Sequence, residues 1–134
     1  MENFNEVPNV SVYSSNKGDN DGFPLYTSCL NFMIISDPYL QNVDKTHKQD
    51  SYQYKENSYS LIKAVMKANH KKDKDKRVDL IEEALGYADC IKIGIRLLFA
   101  FKCINVDART KLDFEIGSII SQLNGWKNSY NNKR

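Results

Sequence analysis

Lys92 and Arg96 are the residues of this chain best placed to do chemistry, and the chemistry is the holding of phosphate. They stand one helical turn apart within CIKIGIRLLFAF (Cys90–Phe101), so both project from one narrow side of a helix. Arginine grips phosphate through its planar fork, and lysine adds a more mobile positive charge. The competing use is an ion pair with Asp89 or with an acid of another helix. Lys102, Arg109 and Lys111 follow in the chain and complete a set of candidate nucleic-acid-binding residues. Net charge is only +2, yet it is unevenly spread. Residues 1–22 carry Glu2, Glu6, Asp19 and Asp21 against Lys17, whereas residues 90–134 add Lys127, Lys133 and Arg134 to those five against Asp107, Asp113 and Glu115. A basic C-terminal part suits an anionic partner, with a merely solvated charged surface as the alternative.

Other chemistries find little to stand on. There is no Walker sequence, nucleotide-binding glycine pattern, HExxH pair or nucleophile elbow. His47 and His70 lie in or beside polar connections, which suits surface roles better than catalysis. A common type of small helical ribonuclease needs an Arg followed closely by a His, but every Arg here comes after His70. Glu82 and Glu83 point in adjacent helix directions and oppose no second carboxylate. A di-iron bundle would need Glu-x-x-His motifs, and none occurs. The spacing of Cys29, Cys90 and Cys103 makes no metal or redox motif, and an odd number argues against a disulfide scaffold, so three buried thiols are expected. The expectation is a protein without enzymatic activity, metal or cofactor.

The element that must position Lys92 and Arg96 is a helix over Val78–Phe101. Ile81, Leu85, Ala88, Ile91, Ile95 and Leu98 fall at the three-and-four spacing of one dry face. From Cys90 onward Ile93, Leu97 and Phe101 form a second apolar stripe, and a helix with two dry faces needs neighbours on both. Bundle partners would cover the first and another subunit the second, making Ile93, Leu97 and Phe101 the candidate oligomer interface. Three further helices are predicted. Pro24 can open one that buries Leu25, Cys29, Phe32, Met33 and Ile35, with Asp37-Pro38 either stopping it or, by preference, kinking it before Tyr39 and Leu40. Residues 42–50 read as a loop, and Ser51 as the cap of a helix to about Asn69 whose dry side uses Tyr52, Tyr59, Ile62, Val65, Met66 and Ala68. Lys55, Lys63 and Lys67 lie on its wetter side, as solvation. An exposed turn spans His70 to Arg77. Asn105 or Asp107 can cap a last helix bearing Leu112, Ile116, Ile119, Leu123 and Trp126, which Gly125 loosens before a polar exit.

With 134 residues, 41% of them hydrophobic, the chain has enough for one core. We expect a flexible tail over residues 1–22 and an antiparallel four-helix bundle over 23–134, all-α. No apolar run approaches the roughly 20 residues of a membrane span and the first residues lack a signal core, so no membrane partner and a cytoplasmic location are expected.

ANHKKDKDKRVDLIEEALGYADCIKIGIRLLFAFKCI and the ending ISQLNGWKNS give a more specific lead. Over roughly residues 24–129 the chain resembles the four-helix-bundle family of the accessory variability determinant proteins of diversity-generating retroelements and the proteins encoded by intervening sequences of bacterial ribosomal RNA genes. Members similarly have Ala-Asn at the helix-two exit, a charged hairpin, repeated basic positions on the central helix, and Gly-Trp followed by Lys and Ser. The chain departs from them at Asn42-Val43, where many have an aromatic-proline step, at Ile120, where they have Gly, and in its acidic N-terminal extension. The resemblance implies a homopentameric barrel that binds RNA or an RNA-DNA hybrid beside a reverse transcriptase, and it places two family basic positions on Lys92 and Arg96. A structural bundle that binds only protein is the alternative.

Overall fold

The computed structural model describes residues 23–131, and the expected tail over residues 1–22 lies outside them. Four helices and no strand occur among the described residues: α1 (Pro24–Gln41), α2 (Lys48–His70), α3 (Lys74–Ala100) and α4 (Val106–Asn131). A turn of 3-10 helix, Lys45–His47, precedes α2. In contacts, α1 touches α2 and α4, while α3 touches α2 and α4, so the helices surround one core as a four-helix bundle. The contact of α2 with α3 is the most extensive of these.

Local chemistry explains the helix boundaries, several of which differ from the sequence expectation. Pro24 takes the first turn of α1, where its missing N–H is no loss. The helix runs on through Asp37-Pro38, where the proline removes the bond that the Ile34 carbonyl would receive. Ser51 is not a cap: it is buried inside α2, which opens at Lys48 because the 3-10 turn already winds the chain into helical geometry. The central helix starts at Lys74 rather than Val78. Asp73 supplies the cap, its Oδ1 accepting from the Asp75 N–H at 3.3 Å, so only 71–73 remain as the turn. Alternating Lys and Asp, read as an exposed turn, are equally at home in a solvated first helical turn.

At the far end of α3 the Cys103 N–H donates to the Leu98 carbonyl at 2.8 Å and the Lys102 N–H to the Phe99 carbonyl at 3.0 Å. This is a Schellman closure, and it puts Lys102 at φ 64°, where glycine is the usual occupant. Asn105 caps α4, its Oδ1 accepting from the Ala108 N–H at 2.8 Å. Gly125 does not loosen α4, which continues to Asn131 because its last turns are tied down. Trp126 meets Phe23 edge-on at 5.1 Å, Lys127 pairs with Glu82 at 3.1 Å, and Tyr130 accepts from Arg77 at 2.8 Å.

The core follows the expected face of α3. Ile81, Ala88, Ile91, Ile95 and Leu98 are fully buried, against Ile116, Ile119 and Leu123 of α4. Leu85 is half-buried instead. Cys29 is a buried thiol, but Cys90 is exposed and Cys103 intermediate, because an apolar sequence neighbourhood does not fix the side of the helix. Tyr52 and Tyr59, expected on the dry side of α2, are 56% and 52% exposed, and Tyr54 is buried in their place. Two positions turn a helix by about 200°, so exchanging Tyr52 for Tyr54 redirects the whole aromatic set. Tyr54 stacks on Phe32 and shares a 2.7 Å hydrogen bond with Ser36 of α1, a partner that periodicity within α2 cannot reveal.

Candidate nucleic-acid interface

Burial of Ile91, Ile95 and Leu98 fixes the rotation of α3, and that rotation decides what the helix shows outside. Lys92 and Arg96 are both exposed, and neither takes part in any ion pair among the described residues. Asp89, one turn before Lys92, is exposed and likewise outside those pairs, so the alternative of an Asp89 ion pair is not realised. Each helical position advances about 100°, which sets the row of Ile93 and Leu97 directly beside the row of Lys92 and Arg96.

That second row is apolar and open. Ile93 is 58% exposed, Leu97 40% and Phe101 42%. Ile93, Gly94 and Leu97 of α3 face Asp50, Gln53 and Asn57 of α2 across a shallow cleft of about 270 Å³. Phe101 is partly covered, since the His47 ring stacks on it with centroids 4.5 Å apart and planes 12° from parallel. His47 Nδ1 lies 3.3 Å from Asp50 Oδ2, so this histidine braces the α1–α2 connection against the end of α3.

The remaining candidates differ in their surroundings. Arg109 is already engaged: its Nε donates to Asp113 Oδ2 at 3.3 Å and its guanidinium lies 4.8 Å from the Phe99 ring centre. Lys111 is exposed, but two positions after Arg109 it is turned about 200° away from that α3-facing side. Lys102 is exposed in the left-handed conformation that closes α3, so the chain carries a charge where glycine would be less strained. Beside it, the Cys103 thiol is pushed above its ordinary range, first by burial and then by the charges of Asp50 and Asp44.

For chemistry in the narrower sense the arrangement offers little. No group of three or more His, Cys, Asp or Glu side chains that could hold a metal occurs among the described residues. His47 is engaged by Asp50 and Phe101. Among the described residues no helix is long and apolar enough to cross a membrane. The outer face of α2, where Tyr52 and Tyr59 stand among lysines, is not evident from helical spacing. The four-residue recurrence of those lysines is the trace of this face in the sequence.

The fold and the site together define a four-helix bundle whose central helix carries an apolar row and a basic row side by side. No family model, no curated protein and no solved structure matches the chain.

Proposed function

We propose that this protein is a non-enzymatic, homo-oligomeric adaptor that holds nucleic acid on a basic surface. The observation that carries the reading is the pairing of two rows on α3: exposed Lys92 and Arg96, outside any ion pair among the described residues, beside exposed Ile93, Leu97 and Phe101. Apolar rows associate copies of the chain, and association repeats each basic pair around the assembly, multiplying a weak phosphate site. The helices run antiparallel in this reading, supported by contacts that set the end of α4 against the start of α1 through Trp126 and Phe23 and against the start of α3 through Lys127 and Glu82. A pentameric barrel, RNA or an RNA-DNA hybrid as ligand, a reverse transcriptase as partner, and a cytoplasmic setting rest on the resemblance and composition given above.

A protein-only bundle is the second reading. It is favoured by Phe114, 73% exposed on α4, and by Gly117 and Gly125 on the same helix, where a Cβ would meet open space beyond the helix's own backbone. One set of measurements separates the two. Light scattering on Leu97→Glu should show a lower mass than wild type with helicity kept, and a monomeric wild type at micromolar concentration rejects the assembly. Structured RNA should bind at low salt and weaken as salt rises, because phosphate contacts release counterions. Replacing Lys92 and Arg96 together by alanine should weaken that binding several-fold at unchanged mass, and replacing Lys72 and Lys74 should do less. Absence of RNA binding by the assembled wild type selects the protein-only bundle.

A further inference from the structure

The outer face of α2 carries a second, unexpected set of residues. Tyr52, Tyr59, Lys63 and His70 fall at intervals of seven, four and seven, a single stripe opposite the buried face that contains Tyr54, Leu61 and Val65. The two tyrosines are more than half exposed and stand two turns apart, about 10.5 Å along the helix. Lys55, Lys63 and Lys67 flank them, all exposed and none in an ion pair among the described residues. The stripe is bordered by two open clefts. One, of about 620 Å³ between α1 and α2, places Lys55 and Tyr59 across from Tyr26; the other, of about 610 Å³ between α2 and α3, is edged by Lys67, His70, Lys71 and Lys76. Acids stand at the margins, with Glu56 beside Lys55, Asp37 on the α1 wall, and Asp79 and Glu83 on the α3 wall.

We infer that this face of α2 binds a single-stranded segment of nucleic acid, Tyr52 and Tyr59 stacking on unpaired bases while Lys55, Lys63 and Lys67 track the phosphates. The inference rests on the proposal that the protein holds nucleic acid, and it adds a site separate from Lys92 and Arg96 and a preference for unpaired strands. Tyrosine is a poorer helix former than lysine or glutamate, and an exposed ring gains nothing from the core. Its flat face is what a base requires, since every base offers a face to stack on whatever its identity. Duplexes hide those faces, so the site discriminates by strandedness and not by sequence. RNA and DNA share this chemistry. The salt dependence is set by the lysines: three phosphate contacts on a single strand give a slope of about −2 in log affinity against log salt. Stacking adds affinity that salt leaves largely unchanged.

The test is fluorescence anisotropy with labelled oligouridylate, oligothymidylate and a blunt duplex, using the full chain at low salt. Wild type should bind both single strands more tightly than the duplex. Tyr52→Ala and Tyr59→Ala should each weaken single-strand binding about tenfold, and the two Tyr→Phe variants, which keep the ring, should bind as wild type. Replacing Lys55, Lys63 and Lys67 by glutamine should flatten the salt slope. These side chains face outward, so circular dichroism and light scattering should match wild type for every variant. Wild-type single-strand affinity in the Tyr52→Ala/Tyr59→Ala double variant overturns the inference while leaving the wider proposal to the Lys92 and Arg96 result. A loss of assembled mass in that double variant also overturns it, because the face is then a protein interface. A lack of binding to all three probes and to structured RNA overturns the inference together with the proposal it rests on. Retained dependence on the tyrosines with none on Lys92 and Arg96 upholds the α2 site and removes the α3 one.

Discussion

Ser36 and Tyr54 tie α1 to α2 inside the core, and their hydrogen bond predicts an asymmetry that can be measured. The Ser36 Oγ lies 2.8 Å from the Phe32 carbonyl oxygen and 2.7 Å from the Tyr54 hydroxyl, with both side chains about 1% exposed. A carbonyl can only accept, so the single serine proton goes to Phe32 and the tyrosine must donate to serine. Ser36→Ala therefore strands a buried O–H donor, at a cost of about 1–3 kcal/mol. Tyr54→Phe leaves the serine still donating and keeps the ring stacked on Phe32, removing one ordinary hydrogen bond, about 1 kcal/mol. The double variant leaves no stranded donor, so it should fall near Tyr54→Phe, and the two single losses should exceed it in sum by about 1 kcal/mol or more. Urea unfolding followed by far-UV circular dichroism, at fixed protomer concentration because assembly contributes to stability, gives all three values. Equal or smaller destabilisation by Ser36→Ala, or simple additivity, would refute the assigned donor direction.

Two further outcomes follow from buried or strained groups. Burial raises the Cys29 thiol from 9.0 to about 12 and pushes the Tyr54 phenol above its ordinary range, the latter drawn back by Ser36 and raised again by the charge of Asp113. Both folded values exceed the unfolded ones, so their stabilising contribution is whole below about pH 9 and is lost as pH rises, by at most about 1.4 kcal/mol per pH unit for each group. Stability curves of wild type and Cys29→Ala should differ in slope above pH 9, wild type falling more steeply and its advantage shrinking, and parallel curves count against the burial argument. Lys102→Gly should raise stability by about 1 kcal/mol by relieving the left-handed backbone. The same variant should weaken RNA binding if the charge is kept there for phosphate, and thermal melts with paired binding isotherms read both effects.

Four helices were legible in the sequence because helical periodicity is a local property: Ile81, Ala88, Ile91 and Ile95 repeat, and the repeat is the buried face. The cap at Asn105 was legible for the same reason, since its partner Ala108 is three residues away. The exposure of Ile93, Leu97 and Phe101 followed from counting two apolar stripes on one helix whose bundle neighbours can cover one. Helix ends were less legible. The α4 terminus at Gly125 looks loose until Phe23, just before α1, and Arg77 and Glu82 of α3 arrive to hold Trp126, Tyr130 and Lys127. The tyrosines of α2 show the limit most plainly. An aromatic ring with a hydroxyl fits both a core and a wet surface, so spacing cannot choose among Tyr52, Tyr54 and Tyr59. Burial of Leu61, Val65 and Ala68 against the other helices makes that choice, and Ser36, eighteen residues before Tyr54 and on another helix, offers the chosen ring a buried acceptor. Similarly, five basic residues near the C-terminus form a list in the chain, and the fold divides them. Lys92 and Arg96 stay open on α3, Arg109 is taken by Asp113 and Phe99, and Lys111 is turned away, because the side of a helix that a charge occupies is fixed by which apolar face its neighbours bury.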